Sequence, residues 1–361
     1  MKTQKDKISR ILFITLSNLG DIILTTPVLE KLHDEFPNAK FDIITGLPGK
    51  EIFDAYPAAG EVIVPERPRS FGKRIKQLLY LRKKKYDIVI DLKNSLIPYL
   101  VGTKFHSSLT LPGKKALTEG GASPVLHKRD EHLSKISFLG VDTSRSRFFL
   151  PQKEEYERSV DKILGQTECK LSAVISPGSK SHLKRWPPEK YGKLADKLIR
   201  DLKCRVFLVG SEEDAATIRD VISNMEEYAV NLCSRTPLGI LAELMRRVDL
   251  VITNDSAPLH IASAVNTPTI AIFAPTDERK YGPLADMSRV ISSREPCRPC
   301  DRSSCAKGEN KECIKNIRLD EVFSAAKEIL QLIPGIHGPL RGRRKMIGSG
   351  EFCEEEDTPF L

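Results

Sequence analysis

The segment 248–273 holds the densest group of polar side chains that could bind an anion. An apolar run is followed by the polar turn Asn254–Ser256, and a helix is predicted to begin near Ala257. At the carboxyl edge of an open α/β sheet, a helix N-terminus attracts anionic groups through its unpaired N–H groups and its dipole. The alternative is an ordinary strand–helix turn, with Ser256 as the cap and His260 half-buried.

A second candidate segment is Ser17–Asp21 (SNLGD), which directly follows the apolar run 11–16. Gly20 permits a tight turn, and Asp21 would project from the carboxyl end of the strand. A carboxylate there can act as a general base when an acceptor hydroxyl comes within hydrogen-bond reach. The segment matches neither the G-x-G-x-x-G fingerprint nor a P-loop. The alternative role of Asp21 is to cap a helix.

Two further polar segments follow apolar runs in the second half of the chain. Residues 176–187 (SPGSKSHLKRWP) combine a glycine and small hydroxyls with three cations that could neutralise a leaving phosphate, namely Lys180, Lys184 and Arg185. Trp186 is expected to anchor this loop. In the segment 209–213 (VGSEE), an acidic residue, Glu212 or Glu213, could accept hydrogen bonds from a ribose. The alternatives are a solvated basic loop and a carboxylate that only complements the dipole of the next helix.

A repeated alternation of apolar runs and amphipathic stretches predicts the elements that position these segments. Strands are predicted at 11–16, 41–45, 61–64, 86–92, 171–175, 205–209, 250–253 and 269–273, and helices at 21–36, 71–85, 188–202, 215–225, 237–248 and 319–333, besides the one from Ala257. Pro27 predicts that its helix either kinks there or begins at Thr26.

Two such alternations predict an α/β fold of two Rossmann-like domains that face a central cleft. We expect a first domain at 1–155 and a second domain at 165–318, with a linker at 148–157. A terminal helix at 319–334 and a mobile tail at 335–361 complete the predicted organisation.

Length and charge narrow the class of protein. The 361 residues suit two domains, and 40% hydrophobic with 29% charged residues is typical of a globular protein. The net charge of +9 favours anionic partners, namely phosphorylated substrates, nucleic acid or an anionic membrane surface. The first apolar run is too short for a signal peptide or a membrane span. We therefore expect a cytoplasmic protein whose basic surface can contact the inner face of the membrane.

A cluster of four thiols, Cys297, Cys300, Cys305 and Cys313, lies among arginines and prolines. Four thiolates suit a tetrahedral zinc site or an iron–sulfur cluster with a structural role. The spacing C-x2-C-x4-C-x7-C is not that of a zinc ribbon, and free or redox-active thiols are the alternative. No catalytic role is expected.

Taken in order, these segments resemble those of the bacterial lipopolysaccharide heptosyltransferases, glycosyltransferase family 9. The resemblance covers about residues 10–325 and rests on LSNLGD at 16–21, KRWP at 184–187 and NDSAPLH at 254–260. It implies a GT-B architecture, often with a terminal helix that crosses back to the first domain. It also implies an inverting, metal-independent transfer of heptose from ADP-heptose to the lipopolysaccharide inner core, with no cofactor required.

The resemblance also implies a role for each matched residue. Asp21 would deprotonate the acceptor hydroxyl, Lys184 would neutralise the leaving diphosphate, and Glu212 would bind the ribose. The residues implied for the donor are Ser176, Gly178, Ser179, Glu212, Asp255, Ser256, Ala257 and His260. Ser17 and Asn18 are assigned to the acceptor.

One departure from the family pattern concerns the acceptor. The family often carries a basic residue two places before the serine of its first motif, and this chain has Thr15 there. The cation for an anionic acceptor would then come from elsewhere, with Lys73, Arg74 and Lys76 as candidates.

Two other functions stay open at this point. The first is another nucleotide-sugar enzyme of the same architecture, which would act on a different donor or acceptor or as an epimerase. An epimerase would need further acid/base groups, and no second catalytic carboxylate is evident in the sequence. The other is a basic, metal-stapled nucleic-acid-binding protein. Only 6% of the residues are aromatic, with no stacking pattern beside the basic runs, so no nucleic-acid partner is expected. The expected partners are ADP-heptose, an anionic inner-core acceptor and the membrane surface.

Overall fold

The computed structural model describes residues 7–65, 71–103, 105–107, 125–165, 169–302, 304–308 and 312–332, except the side chains of Phe71, Lys73 and Arg74. The predicted tail at 335–361 lies outside these residues.

The first half folds around a five-stranded parallel sheet with the strand order β3-β2-β1-β4-β5. Its elements are β1 (Arg10–Ile14), α1 (Leu19–Glu35), β2 (Lys40–Ile44), α2 (Lys50–Asp54), β3 (Ala59–Ile63), α3 (Phe71–Lys83), β4 (Ile88–Asp91), α4 (Ile97–Val101), β5 (Phe105–His106), α5 (Lys128–Ser134) and α6 (Glu154–Leu164). Side chains that alternate along β1 pack on opposite faces, Phe13 beneath α1 and Leu12 beneath α3 and α4.

The second half folds around a six-stranded parallel sheet with the strand order β11-β10-β9-β6-β7-β8. Its elements are β6 (Leu171–Ser176), α7 (Pro188–Leu202), β7 (Cys204–Leu208), α8 (Ala215–Ser223), β8 (Val230–Asn231), α9 (Leu238–Arg247), β9 (Leu250–Asn254), α10 (Ala257–Ala264), β10 (Thr269–Phe273), α11 (Glu278–Tyr281), β11 (Arg289–Ser292), α12 (Glu312–Lys315) and α13 (Leu319–Leu332). Short 3-10 turns lie at Leu47–Gly49, Ser137–Leu139, His182–Lys184 and Glu212–Asp214.

This architecture confirms the predicted fold class of two Rossmann-like α/β domains. The predicted strands and helices named above end within two residues of those observed. The helix α6 begins inside the segment predicted to be a linker. The short elements that were not predicted are α2, α4, α5, α11, α12, β5, β8 and β11.

The helix α1 begins at Leu19 and continues through Pro27, so the alternative in which it begins at Thr26 is wrong. A proline cannot donate to the carbonyl four residues earlier, which here belongs to Ile23. The hydroxyl of Thr26 donates to that carbonyl instead, at 2.8 Å. The side chain thus replaces the backbone bond that the proline removes, so the helix need not end there.

The terminal helix α13 packs on the second domain over its described length. Val322, Ala326 and Ile329 are buried in the same core cluster as strands β6, β7, β9 and β10, and α13 contacts α7. The crossing to the first domain that the resemblance implied is not seen in residues 319–332. No helix in the described ranges has the length and apolar character needed to cross a bilayer.

The two domains meet where α1 packs against α10. Ile22 and Ile23 on α1 belong to one buried cluster with Ile261 and Ala262 on α10. In each sheet the strand order reverses beside the first strand, between β1 and β4 and between β6 and β9. Such reversals open a crevice at the carboxyl ends of the strands, which is where open α/β sheets bind ligands.

Candidate active site

A cavity of about 1370 Å³ lies between the two domains. Both domains line it, and most of the predicted site residues are among its walls. These are Asn18, Asp21, Ser176, Gly178, Ser179, Lys184, Glu212, Asp255, Ser256, Ala257 and His260. The carboxyl ends of strands β1, β6, β7 and β9 therefore converge on one space, as the strand-end rule predicts.

The residues assigned to the acceptor are less well placed. Ser17 is exposed and is not among the lining residues, although Lys93 Nζ donates to its Oγ at 3.1 Å. The side chains of Lys73 and Arg74 lie outside the described residues, and Lys76 is exposed on α3 away from the cavity lining. The cations that the structure does bring to the acceptor side were not predicted. They are Lys93, beside Ser17, and Lys128, which lines the cavity.

Asp21 lies in the first turn of α1 and faces the cavity. Asn18 Nδ2 donates to its Oδ2 at 3.2 Å. Asp21 is therefore not the cap residue, a position that Asn18 occupies without a capping side-chain bond. The carboxylate thus lies at the N-terminal end of α1, with Oδ2 held by Asn18.

Lys184 faces Asp21 from the second domain and is held by a carboxylate. Its Nζ donates to Asp255 Oδ2 at 2.6 Å, and the hydroxyl of Thr276 donates to the same oxygen. Asp255 is only 5% exposed. Asp255 therefore orients the Lys184 ammonium in the cavity wall.

The N-terminus of α10 points at the same space. Ser256 occupies the cap position, but its side chain makes no capping bond to the first turn. Its hydroxyl instead lies 3.4 Å from Thr253 Oγ1 and from the carbonyl of Asn254. The alternative in which Ser256 caps the helix is therefore wrong. The uncapped end leaves the positive end of the helix dipole facing the cavity, where it can interact with an anion.

His260 is buried at the contact between the domains. A Cβ added at Gly20 would lie 2.7 Å from His260 Cδ2, so the glycine is what allows α1 and α10 to approach. Burial lowers the pKa of His260 to about 4, against the opposing effect of the Asp255 carboxylate. The ring is therefore neutral at pH 7, and its buried Nδ1 has no partner among the described residues. The neutral ring can donate a hydrogen bond to a ligand or accept one from it, but it carries no charge.

Glu212 lies in the 3-10 turn that follows β7, as the strand-end rule predicts. Ser234, which lies after β8 and was not predicted, donates to its Oε2 at 2.7 Å. The neighbouring Gly178 is required by close packing, because a Cβ there would lie 2.1 Å from the Asp214 carboxylate. The Glu212 side chain is thus held by Ser234 in the second-domain wall of the cavity.

Asn254 ties the loops of the second domain together. Its Oδ1 accepts hydrogen bonds from the backbone N–H of Trp186 at 3.1 Å and from Tyr191 Oη at 3.0 Å. Its Nδ2 donates to the carbonyl of Pro177 at 2.7 Å. Trp186 is fully buried and donates through Nε1 to the carbonyl of Ile317. The expectation that Trp186 anchors the loop is confirmed.

Several residues that face the cavity were missed. Thr276 follows the end of β10, so the strand-end rule could have found it. Lys180, by contrast, is one of the cations noted in the sequence of the loop after β6, and it donates across the cleft to Asn18 Oδ1 at 3.3 Å. Burial raises the pKa of Tyr281 to about 12, with a further contribution from the carboxylates of Asp21 and Asp255. No local pattern marks Lys280, Asp301 and Arg302, which also line the cavity.

The clustered cysteines do not form the predicted metal site. Within the described ranges, no three His, Cys, Asp or Glu side chains are grouped so that they could hold a metal ion. Cys297 is exposed, whereas Cys313 lies on α12 and packs against the second core. Burial, together with the neighbouring thiols, raises the pKa of Cys313, which favours its protonated form. The four thiols, including Cys300 and Cys305, are free.

Comparison with known proteins places this geometry in context. Residues 74–311 match the family described as glycosyltransferase family 9 (heptosyltransferase). Lipooligosaccharide heptosyltransferase 2 of Campylobacter jejuni is 24% identical over 316 residues, covering 86% of this chain and 96% of that protein.

Solved structures share the two-domain fold. A family 9 glycosyltransferase from Veillonella parvula matches with a TM-score of 0.74 and 24% identity, over 91% of this chain and 99% of its own. An Escherichia coli heptosyltransferase solved with ADP matches with a TM-score of 0.64 and 18% identity, over 89% and 99%.

Proposed function

The chain belongs to glycosyltransferase family 9 and is a glycosyltransferase, and on that basis we propose that it transfers heptose from ADP-heptose to the lipopolysaccharide inner core. The observation that carries the proposal is the arrangement of one cavity, with Asp21 on its first-domain wall and Lys184 with the α10 N-terminus on the other. A base and an anion-binding group thus flank the space in which a sugar would lie.

The donor side supplies the charge that a leaving diphosphate needs. Lys184 and the uncapped N-terminus of α10 would stabilise the negative charge that develops on ADP. Glu212 would accept the ribose hydroxyls, and Asp255 and His260 would lie nearer the sugar. Ser176, Gly178 and Ser179 line the nucleotide side of the same wall. The ADP complex of the Escherichia coli heptosyltransferase supports this choice of nucleotide.

The acceptor side would supply the base. Asp21 would take the proton of the acceptor hydroxyl as its oxygen attacks the anomeric carbon, and the bond from that carbon to the diphosphate would break on the opposite side. A single displacement inverts the anomeric centre and needs one base, which suits a single carboxylate facing the donor. No cofactor is required by this proposal.

The acceptor itself is inferred from chemistry and from relatives. Lys93, Lys128 and Lys180 surround the acceptor side of the cavity and suit an anionic oligosaccharide. The Campylobacter jejuni relative is a lipooligosaccharide heptosyltransferase. We further propose that the reaction takes place on the cytoplasmic face of the inner membrane, where such an acceptor would be anchored. Family membership sets aside the epimerase and the nucleic-acid-binding protein.

The proposal is tested by incubating the protein with ADP-heptose and defined inner-core acceptors and weighing the products by mass spectrometry. Asp21→Asn should lower turnover by about 10²–10⁴-fold, the usual contribution of a general base, while ADP affinity stays near wild type. Asp54→Asn, at an exposed carboxylate of the same domain, is the control. A nearly wild-type rate for Asp21→Asn would rule out that base, and product only from another nucleotide sugar would rule out the donor.

A further inference from the structure

Large apolar side chains are exposed on the two helices that cover the outer face of the first sheet. On α3 these are Ile75 and Leu79, and at α4 they are Leu96, Tyr99 and Leu100. Leu96 is 62% exposed and Leu79 is 51% exposed. Single exposed apolar residues are normal, but a group on adjoining helices marks an interaction surface.

The geometry of the two helices places these side chains on the side that faces away from the first sheet. Leu81 and Val101 point inward, where they join a buried layer with Leu12 of β1. Ile75 and Leu79 are four residues apart, so they share a helix face that lies away from that layer. Because α3 and α4 contact one another, their outer faces are contiguous.

The same surface is basic. Residues 75–85, whose side chains the structure describes, contain five Lys and Arg and no Asp or Glu. Lys84 is used internally, since its Nζ contacts Glu61 at 2.6 Å and Asp42 at 3.5 Å. Lys76, Arg82 and Lys83 are exposed beside the apolar side chains. Apolar side chains flanked by cations are typical of surfaces that lie in the headgroup region of an anionic bilayer.

We propose that this surface docks the protein on a membrane that contains anionic lipid. We call it the α3–α4 face and define it by Ile75, Lys76, Leu79, Lys83, Tyr99 and Leu100. The apolar side chains would enter the boundary between headgroups and acyl chains, and the lysines would contact the phosphates. A second copy of the chain fits this face less well, because a twofold-symmetric contact would place the cations of the two copies against each other.

The position of the α3–α4 face relative to the cavity connects docking with the reaction. Leu96, at the start of α4, is three residues from Lys93, which contacts Ser17 beside Asn18 and Asp21. Docking through this face would therefore hold the acceptor side of the cleft near the bilayer surface. This point rests on the proposed function, whereas the docking itself does not.

The test is flotation of the full chain with vesicles of phosphatidylcholine alone or mixed with phosphatidylglycerol. We expect binding to the mixed vesicles only, weakened by salt. Lys76→Gln with Lys83→Gln should lower the partition coefficient by about 30-fold at low salt, at roughly 1 kcal/mol for each cation. Leu79→Gln with Leu100→Gln should lower it by about tenfold or more. The control is Ile222→Gln with Tyr228→Ser, at exposed positions of the second domain.

Equal binding of wild type and face variants to anionic vesicles would overturn the proposal. So would a dimer in solution that the face variants dissociate, with no vesicle binding by wild type. Turnover separates this proposal from the proposed function. Face variants should keep the wild-type rate on a water-soluble acceptor and lose rate on the same acceptor anchored in vesicles. Vesicle binding without turnover on either acceptor would refute the proposed function alone.

Discussion

Replacing Gly20 with alanine tests the contact on which the geometry of the cavity depends. The added Cβ would lie 2.7 Å from His260 Cδ2, whereas carbon atoms in contact prefer about 3.5–4.0 Å. About 1 Å of separation must therefore be created between α1 and a buried imidazole. Overpacking of this kind typically costs about 1–3 kcal/mol. Helix propensity acts in the opposite direction, since alanine is favoured over glycine by up to about 1 kcal/mol.

We therefore expect Gly20→Ala to destabilise the protein by about 1–2 kcal/mol, against its helix propensity. The effect on turnover should be larger, because Asp21 is the next residue and a displacement of about 1 Å can cost up to about 10²-fold in rate. Urea unfolding followed by circular dichroism measures the first effect, and product formation measures the second.

The chain offers a matched control in Gly72, which lies in α3 and whose added Cβ would have no neighbour within 4 Å. Gly72→Ala should leave stability unchanged or increase it. Adding His260→Ala to Gly20→Ala should reduce the extra cost of the first substitution, as coupled neighbours do in a double-mutant cycle. The inferred contact between Gly20 and His260 would be refuted if Gly20→Ala raised the stability as much as Gly72→Ala and kept the wild-type turnover.

Two further outcomes follow from the charges of the site. Lys184→Ala should weaken ADP binding by about tenfold or more in calorimetry, because a charged hydrogen bond is lost. The control is Lys193→Ala, at an exposed position. An unchanged affinity for ADP would contradict the role of Lys184 in binding the diphosphate. Burial lowers the pKa of His132 and His260 to about 4 from an unfolded value of 6.5, so the unfolded chain binds more protons between these values. The free energy of unfolding should therefore rise by a few kcal/mol as pH increases from about 4 to about 6.5, and His132→Gln should flatten that rise; an identical pH profile for the variant would argue against a buried neutral imidazole at 132.

The sequence predicted those site residues that lie at strand ends. Asp21, Lys184, Glu212 and Asp255 follow apolar runs, and parallel strands bring such positions to one edge of a sheet. A local sequence pattern cannot show that a side chain contacts a residue distant along the chain. The contacts of Asp255 with Lys184 and Thr276 are tertiary, so the sequence around Asp255 could not show them.

The errors have a similar cause. Pro27 is tolerated because a neighbouring hydroxyl replaces the missing backbone bond, which a propensity rule does not consider. The spacing of the four cysteines allowed a metal site, but spacing fixes neither the direction of a side chain nor its burial. The terminal helix α13 is amphipathic whichever domain it covers, so its sequence could not say which domain that would be.

The contact between α1 and α10 has a consequence for how the molecule folds. Ile22 and Ile23 are buried against Ile261 and Ala262, so the apolar core of each half is completed by the other. Separation would expose that surface to water, and neither half expressed alone would bury it. The two halves should therefore melt in a single cooperative transition rather than in two steps. Opening of the cleft during turnover would have to preserve this contact, which makes it the pivot of any such motion.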